Sequence, residues 1–236
     1  MTRPFVHLHL HTEYSIGDSI VRVAELARSV ADAGMPAVAM TDRANLFAMV
    51  KFYRAAMKNG VKPIIGAEIL LRDGTADEGP TPLVLLCKDR DGFHALSKLL
   101  TRAYLEGQQG GVPMVDMAWL EGCAGLLALS GGRDSATGRA ILAGRDEEAR
   151  QLVTQLRQLF NGDYYLEMQR TGRPGEARYN EGAVALAAEL GVPVVATNDV
   201  RFLAPDDVGA HEARLCIHQG RILGDSSRPQ EYSPQQ

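Results

Sequence analysis

The chain has 236 residues, of which 45% are hydrophobic and 23% charged, with a formal net charge of −4. That length fits one large domain or two small ones, and that composition excludes a disordered, collagen-like or low-complexity chain. The acidic balance argues against a free-standing nucleic-acid binder that works by neutralising phosphates, no apolar run approaches a membrane span, and the N-terminus has no signal-peptide core.

The first predicted element is a strand over Phe5–His11, followed by a helix over Ile20–Ala33 with apolar residues at helical spacing. Pro36–Met40 reads as a short buried strand and Leu46–Asn59 as a helix closed by Gly60. Lys62–Leu71 is a third strand, Asp73–Thr81 a polar loop, Leu83–Cys87 a fourth strand and Gly92–Glu106 a helix. A glycine-rich loop over Gly107–Pro113 leads to a fifth strand at Gly125–Leu129. Thr137–Leu142 and Glu147–Phe160 are helical, with Gly144 as a stop between them. Tyr164–Met168 is a sixth strand and Glu176–Leu190 a helix ending at Gly191. A seventh strand at Pro193–Ala196 precedes a helix over about Val208–His218, and residues 219–236 form a polar extension.

Strands followed by helices predict parallel βαβ units, in an open doubly wound sheet or a closed barrel. No Gly-x-Gly-x-x-Gly follows the first strand and no phosphate-loop lysine motif occurs, which removes the usual evidence for a nucleotide-binding open sheet. The cysteines Cys87, Cys123 and Cys216 are scattered and lack metal-ligand spacing. They predict reduced thiols in a cytoplasmic protein.

Polar residues instead gather at the predicted strand ends, where barrel enzymes build their sites. Residues i and i+2 of a strand share a face, so His9 and His11 project together and His7 lies further down the same face. Two imidazoles with carboxylates from other strands suit Zn²⁺, Mn²⁺ or Fe²⁺. Asp42, Glu68 and Asp199 stand at three other strand ends. Asp42 also fits as a helix cap and Asp199 as a turn cap, whereas Glu68 follows an apolar run and needs a cation or donors. His94, His211 and His218 read as surface or packing residues, and Ser130-Gly131-Gly132 alone is too short to define a phosphate cradle.

The stretches Phe5-Val-His-Leu-His-Leu-His-Thr-Glu-Tyr-Ser, Thr41-Asp42, Asn45–Tyr53, Gly60–Glu68, Thr171-Gly-Arg-Pro, Val195–Phe202 and Arg228–Gln236 together resemble a known family. It is the polymerase and histidinol phosphatase (PHP) domain family, in the form carried by the alpha subunits of proteobacterial DNA polymerase III. The resemblance implies an α/β fold, a distorted (β/α)7 barrel, as a single domain over 1–236 with 219–236 leading towards a polymerase body. It implies a place in DNA replication, with three partners: that polymerase body, a separate proofreading exonuclease subunit, and DNA through a Mg-dependent parent polymerase.

Complete sites of this family hold up to three divalent metals and hydrolyse phosphoesters. By resemblance, His9, His11, Glu68 and Asp199 match the ligands of one metal position, and Asp18 an acidic position near another. The departures are Arg43, where the second motif has His after Thr-Asp42, Arg201 in place of a His, Pro82 in place of a His, and Gly132 in place of a Cys or His. Arginine keeps its proton and offers no lone pair to a metal. At most one metal position (Zn, Mn or Fe) is therefore expected, with Arg43 and Arg201 neutralising Asp18 and Asp42 in place of a cation. Two-ion phosphoryl chemistry is then weak or lost, and the domain is expected to be mainly structural. Its rivals are an active metal-dependent phosphoesterase or 3′–5′ exonuclease and a stand-alone histidinol-phosphatase-like enzyme.

Overall fold

The computed structural model describes residues 5–72, 79–225 and 232–234. Helix α1 (Val23–Asp32) buries Val23, Leu26, Ala27 and Val30, a single stripe at helical spacing. Strand β1 (Ala37–Met40) is buried along its whole length, and α2 (Met49–Lys58) and β2 (Lys62–Arg72) follow it. After β3 (Thr81–Cys87), α3 (Arg90–Glu106) opens on Asp89, whose carboxylate accepts from Gly92 N at 2.8 Å. Three two-residue strands come next: β4 (Gln108–Gln109), β5 (Val112–Pro113) and β6 (Val115–Asp116). Strand β7 (Leu126–Leu129) leads to α4 (Ala136–Ala143), capped by Ser135, and to α5 (Asp146–Leu159). Then come β8 (Tyr164–Met168), α6 (Glu176–Leu190), β9 (Val194–Ala196) and α7 (Val208–Gln219).

The sheet order is β1-β2-β3-β7-β8-β9, with β6 paired to the far end of β2. The chain's first segment joins the two outer edges. His7 O and Leu10 O accept from Ala39 N and Thr41 N at 2.8 and 2.9 Å on the β1 side. On the other side Leu10 bridges Val200 in parallel, with His11 N donating to Val200 O at 2.9 Å. The sheet is thus curled into a distorted barrel, the architecture expected from the resemblance. Its interior is packed by Ala39, Val84, Leu86 and Leu129, against Leu8, Ile64, Leu127, Tyr165 and Val195. Helices α1 and α2 pack with one outer cluster, and α3 to α6 with the other.

Three expectations are corrected. The sheet is not all-parallel: β3 runs antiparallel to both β2 and β7. Only residues 73–80 separate β2 from β3, too few for the dozen or more residues of a parallel crossover. Residues 73–78 of the expected polar loop lie outside the described residues, as do 226–231 and 235–236 of the expected C-terminal extension. The segment Phe5–His11 occupies a strand's place but makes only the isolated Leu10–Val200 bridge. The glycine-rich loop over 107–113 contains the β4–β5 hairpin.

Candidate metal centre

The first turn after His11 is tied down from the second strand end. Asp42 accepts from Thr12 N at 2.6 Å, Thr12 Oγ1 at 2.7 Å and Ser15 Oγ at 2.8 Å. Ser15 Oγ lies 3.0 Å from His11 Nδ1, so the turn fixes the ring and leaves Nε2 facing inward. His9 is oriented by Glu167, whose Oε1 sits 2.6 Å from His9 Nδ1. That carboxylate also accepts from Gly131 N at 3.0 Å and from Thr197 Oγ1.

Three donor atoms then converge, from His9, His11 and Glu68, with Asp199 beside the imidazoles. His9 Nε2 lies 3.2 Å from His11 Nε2, 3.3 Å from Glu68 Oε2 and 3.5 Å from Asp199 Oδ1. His11 Nε2 lies 3.5 Å from both of those oxygens. His9 Nε2, His11 Nε2 and Glu68 Oε2 lie close enough to one another to hold one dication, and Asp199 Oδ1 stands beside the two imidazoles. The carboxylate behind His9 follows the carboxylate–histidine–metal pattern, fixing the tautomer that aims Nε2 inward. The site residues His9, His11, Glu68 and Asp199 are all buried.

Next to this nest lie two guanidinium groups. Arg43 Nε donates to Glu68 Oε1 at 2.6 Å, and its Nη1 pairs with Asp18 Oδ2 at 2.9 Å. Arg201 donates to Asp199 Oδ1 from Nε at 3.1 Å and from Nη2 at 2.9 Å, and its Nη1 pairs with Asp18 Oδ2. The expectation that these arginines neutralise Asp18 fits the geometry. Asp42 is the correction: its oxygens are used by Thr12 and Ser15, because the turn after His11 leaves backbone and hydroxyl donors beside it.

The electrostatics follow from burial and partners. Burial would raise the Asp18 carboxyl, but Arg201 and Arg43 outweigh it and hold it well below the usual carboxylate range. Glu68 is likewise held low against its burial, by Arg43 and then His11 and His9. Glu167 is lowered by His9, Thr197 and Gly131 N. Burial opposes charge on His9, yet Glu167 and Asp199 raise its pKa well above the ordinary value. The buried carboxylates Asp18, Glu68 and Asp199 thus face two guanidinium groups, and Glu167 faces His9.

The other predicted positions are placed as follows. Pro82 lines the cleft above the nest. Because β3 is reversed, Pro82 comes from the start of its strand. Gly131 and Gly132 both adopt left-handed backbone, φ 86° and 69°. A Cβ on Gly132 would stand 3.0 Å from Gln169 Oε1, so the Gln169 amide fills the space a larger residue there would enter. His7 is a correction. It lines an outer groove with Leu10 and Leu26 and turns its ring to Phe5, because the segment lacks the regular alternation of a strand. His211 is buried, with Nε2 2.9 Å from Asp18 O.

Nothing local in the sequence marks Glu167 as the partner of His9. The alternation of β8 carries the signal: Glu167 follows Tyr165 onto the inward face of an otherwise apolar strand. Tyr232 has no local signal at all. Its hydroxyl reaches Asp18 Oδ1 at 3.3 Å and its ring lies 5.3 Å from the guanidinium carbons of both Arg173 and Arg201. The whole centre opens into a cleft of about 950 Å³.

A model of the PHP domain family matches residues 7–171. The chain is 44% identical, over a 237-residue alignment, to DNA polymerase III subunit alpha of Pseudomonas aeruginosa, covering 100% of this chain and 20% of that protein. It is 43% identical over 238 aligned residues to DNA polymerase III subunit alpha of Escherichia coli K12, with the same shares covered. The chain therefore spans about one fifth of the length of these relatives. Among solved structures, a putative metal-dependent phosphoesterase from Bifidobacterium adolescentis superposes with a TM-score of 0.58 at 14% identity, covering 85% of this chain and 89% of that one. An amidohydrolase from Chromobacterium violaceum, solved with bound sulfate and no metal, gives 0.59 at 14% identity, over 83% and 87% of the two chains. These two likenesses show the shared fold. Among the described residues, no helix is long and apolar enough to cross a membrane.

Proposed function

Because the chain belongs to the PHP domain family, we propose that it is the PHP domain at the N-terminus of a DNA polymerase III alpha subunit, with a metal centre reduced to one dication. The carrying observation is that Arg43 and Arg201 both pair with Asp18, beside the donor nest. Fixed positive charge stands where further ions would need lone pairs. His9, His11, Glu68 and Asp199 would hold the remaining dication, which would supply Lewis acidity and local rigidity. Glu167 orients His9, and Ser15 orients His11. With one ion, the attacking and leaving oxygens of a phosphodiester cannot both be stabilised by metal. The domain is therefore mainly structural: in the cytoplasm it braces the polymerase body, which uses Mg²⁺ on DNA, and docks the proofreading exonuclease subunit.

The test joins metal analysis of the purified protein with a Mn²⁺-dependent assay on single-stranded DNA. The expected result is no more than one ion per chain and no hydrolysis above that of His11→Ala. Robust hydrolysis abolished by His11→Ala would overturn the reading. It would favour the second reading, a metal-dependent phosphoesterase or exonuclease, which the convergence of His9, His11 and Glu68 with Asp199 beside them supports.

A further inference from the structure

Two stretches without a role in metal binding meet at the mouth of the cleft: Thr171–Pro174 and Tyr232–Pro234. The first is a loop pinned from below by Glu176. Its carboxylate accepts from the backbone of Thr171 at 2.8 Å, Gly172 at 2.9 Å and Arg173 at 3.3 Å. This fixes the base from which Arg173 reaches the cleft, where its Nη2 pairs with Asp134 at 2.8 Å. The second stretch seats on the same loop through Ser233 Oγ, which donates to Thr171 O.

From that seat Tyr232 lies over the arginines. Its ring centroid is 5.3 Å from both Arg201 Cζ and Arg173 Cζ, within the range where a ring face attracts a cation. Its edge meets the buried His211 ring at a centroid distance of 4.7 Å and 85°. Its hydroxyl donates to Asp18 Oδ1. Burial holds the phenol neutral, with its pKa pushed up. An uncharged ring thus covers two guanidinium groups without cancelling their charge. Arg201 already has Asp18 and Asp199, whereas Arg173 pairs with Asp134, a side chain that is 42% exposed.

We propose that Tyr232–Pro234 form an intramolecular plug that denies the Arg173–Arg201 pair to phosphate-bearing ligands. The ring takes the place such an anion would occupy, and Ser233 fastens the plug to the loop that carries Arg173. The inference rests on these contacts and not on the number of metals bound or on the identity of the parent protein.

Calorimetric titration with inorganic phosphate tests it. The wild-type protein and Tyr232→Phe, which keeps the ring, should bind weakly. Tyr232→Ala should bind at least about tenfold more tightly, and adding Arg173→Ala should abolish that gain. Should Tyr232→Ala fail to fold by circular dichroism, Tyr232→Leu keeps apolar bulk against His211 without the π face or hydroxyl, and the same gain is required of it. Equal phosphate affinity in wild type and the folded variant, or a gain that survives Arg173→Ala, overturns the proposal.

Discussion

Arg43 and Glu68 share one bond that divides the carboxylate between two tasks. Nε of Arg43 holds Oε1 at 2.6 Å, while Oε2 is left to His9 and His11 at 3.3 and 3.5 Å. In the proposed one-ion centre, Arg43 would stand in for an ion and also fix the orientation of the carboxylate that serves the next one.

This arrangement predicts the outcome of removing either cation. Arg201→Leu leaves Asp18 and Asp199 buried without their shared partner, and breaking such a pair costs about 3–5 kcal/mol. Chemical denaturation in chelator should show that loss. The double substitution Arg43→His and Arg201→His restores lone pairs beside Asp18. It is expected to raise metal content above that of the wild-type protein by mass spectrometry, and added Mn²⁺ should recover its stability.

Glu167 tests the support behind the nest. Glu167→Gln keeps the shape but gives His9 Nδ1 a weaker, uncharged partner. Loss of such a supporting carboxylate lowers metal affinity about 10–100-fold. Competition with a chromogenic chelator should read a shift of that size, with the circular dichroism spectrum unchanged. An unchanged affinity would mean that Glu167 serves only the packing around Thr197 and Gly131.

His211 gives a pH signature away from the donors. Burial is the main cause of its lowered pKa, against the Asp18 carbonyl that favours the proton. The unfolded chain therefore takes up this proton first. Below about pH 6.5 the unfolded state binds more protons, so stability falls with decreasing pH until the folded-state pKa is reached, and is constant beyond. The difference between wild-type and His211→Gln denaturation curves from pH 8 to pH 5 should show that fall, which isolates it from the other histidines.

Gly92 predicts a sign opposite to helix propensity. Glycine to alanine inside a helix ordinarily stabilises by about 1 kcal/mol. Here a Cβ would come within 2.0 Å of Gly125 O, a backbone atom at the entry to β7 that cannot move without its strand. Gly92→Ala should instead destabilise, by about 1–3 kcal/mol as for other overpacked sites. Thermal melts against Gly209→Ala in α7, a helical glycine with open space around it, provide the comparison.

Much of this was legible because it depends on local spacing. The strand and helix runs follow hydrophobic period, and Glu176–Leu190 and Tyr164–Met168 match the observed elements end for end. His9 and His11 share a site because they are two residues apart, and Arg43 and Arg201 meet Asp18 because all three flank strand ends. The reversal of β3 was hidden behind the helix-and-strand rhythm on either side of it. The length of the connection, not the strand itself, carried the signal. His7 broke the alternation because its segment pairs at only one bridge. Glu167 and Tyr232 escaped for another reason. Each acts on a partner more than 150 residues away in the chain, and no local pattern encodes which distant residue a side chain will meet.

The seam between Leu10 and Val200 has a consequence for how the protein is made. It joins residues 190 positions apart, and the nest draws His9 and His11 from one side of it and Asp199 from the other. Synthesis at about 5–20 residues per second leaves the histidines waiting on the order of 10–40 s for their last partner. Through that interval the nascent chain carries a half-formed ligand set and an unpaired edge on the segment Phe5–His11. The centre is therefore completed late in synthesis, once the stretch bearing Asp199 has left the ribosome, and metal supplied before then meets only a partial site.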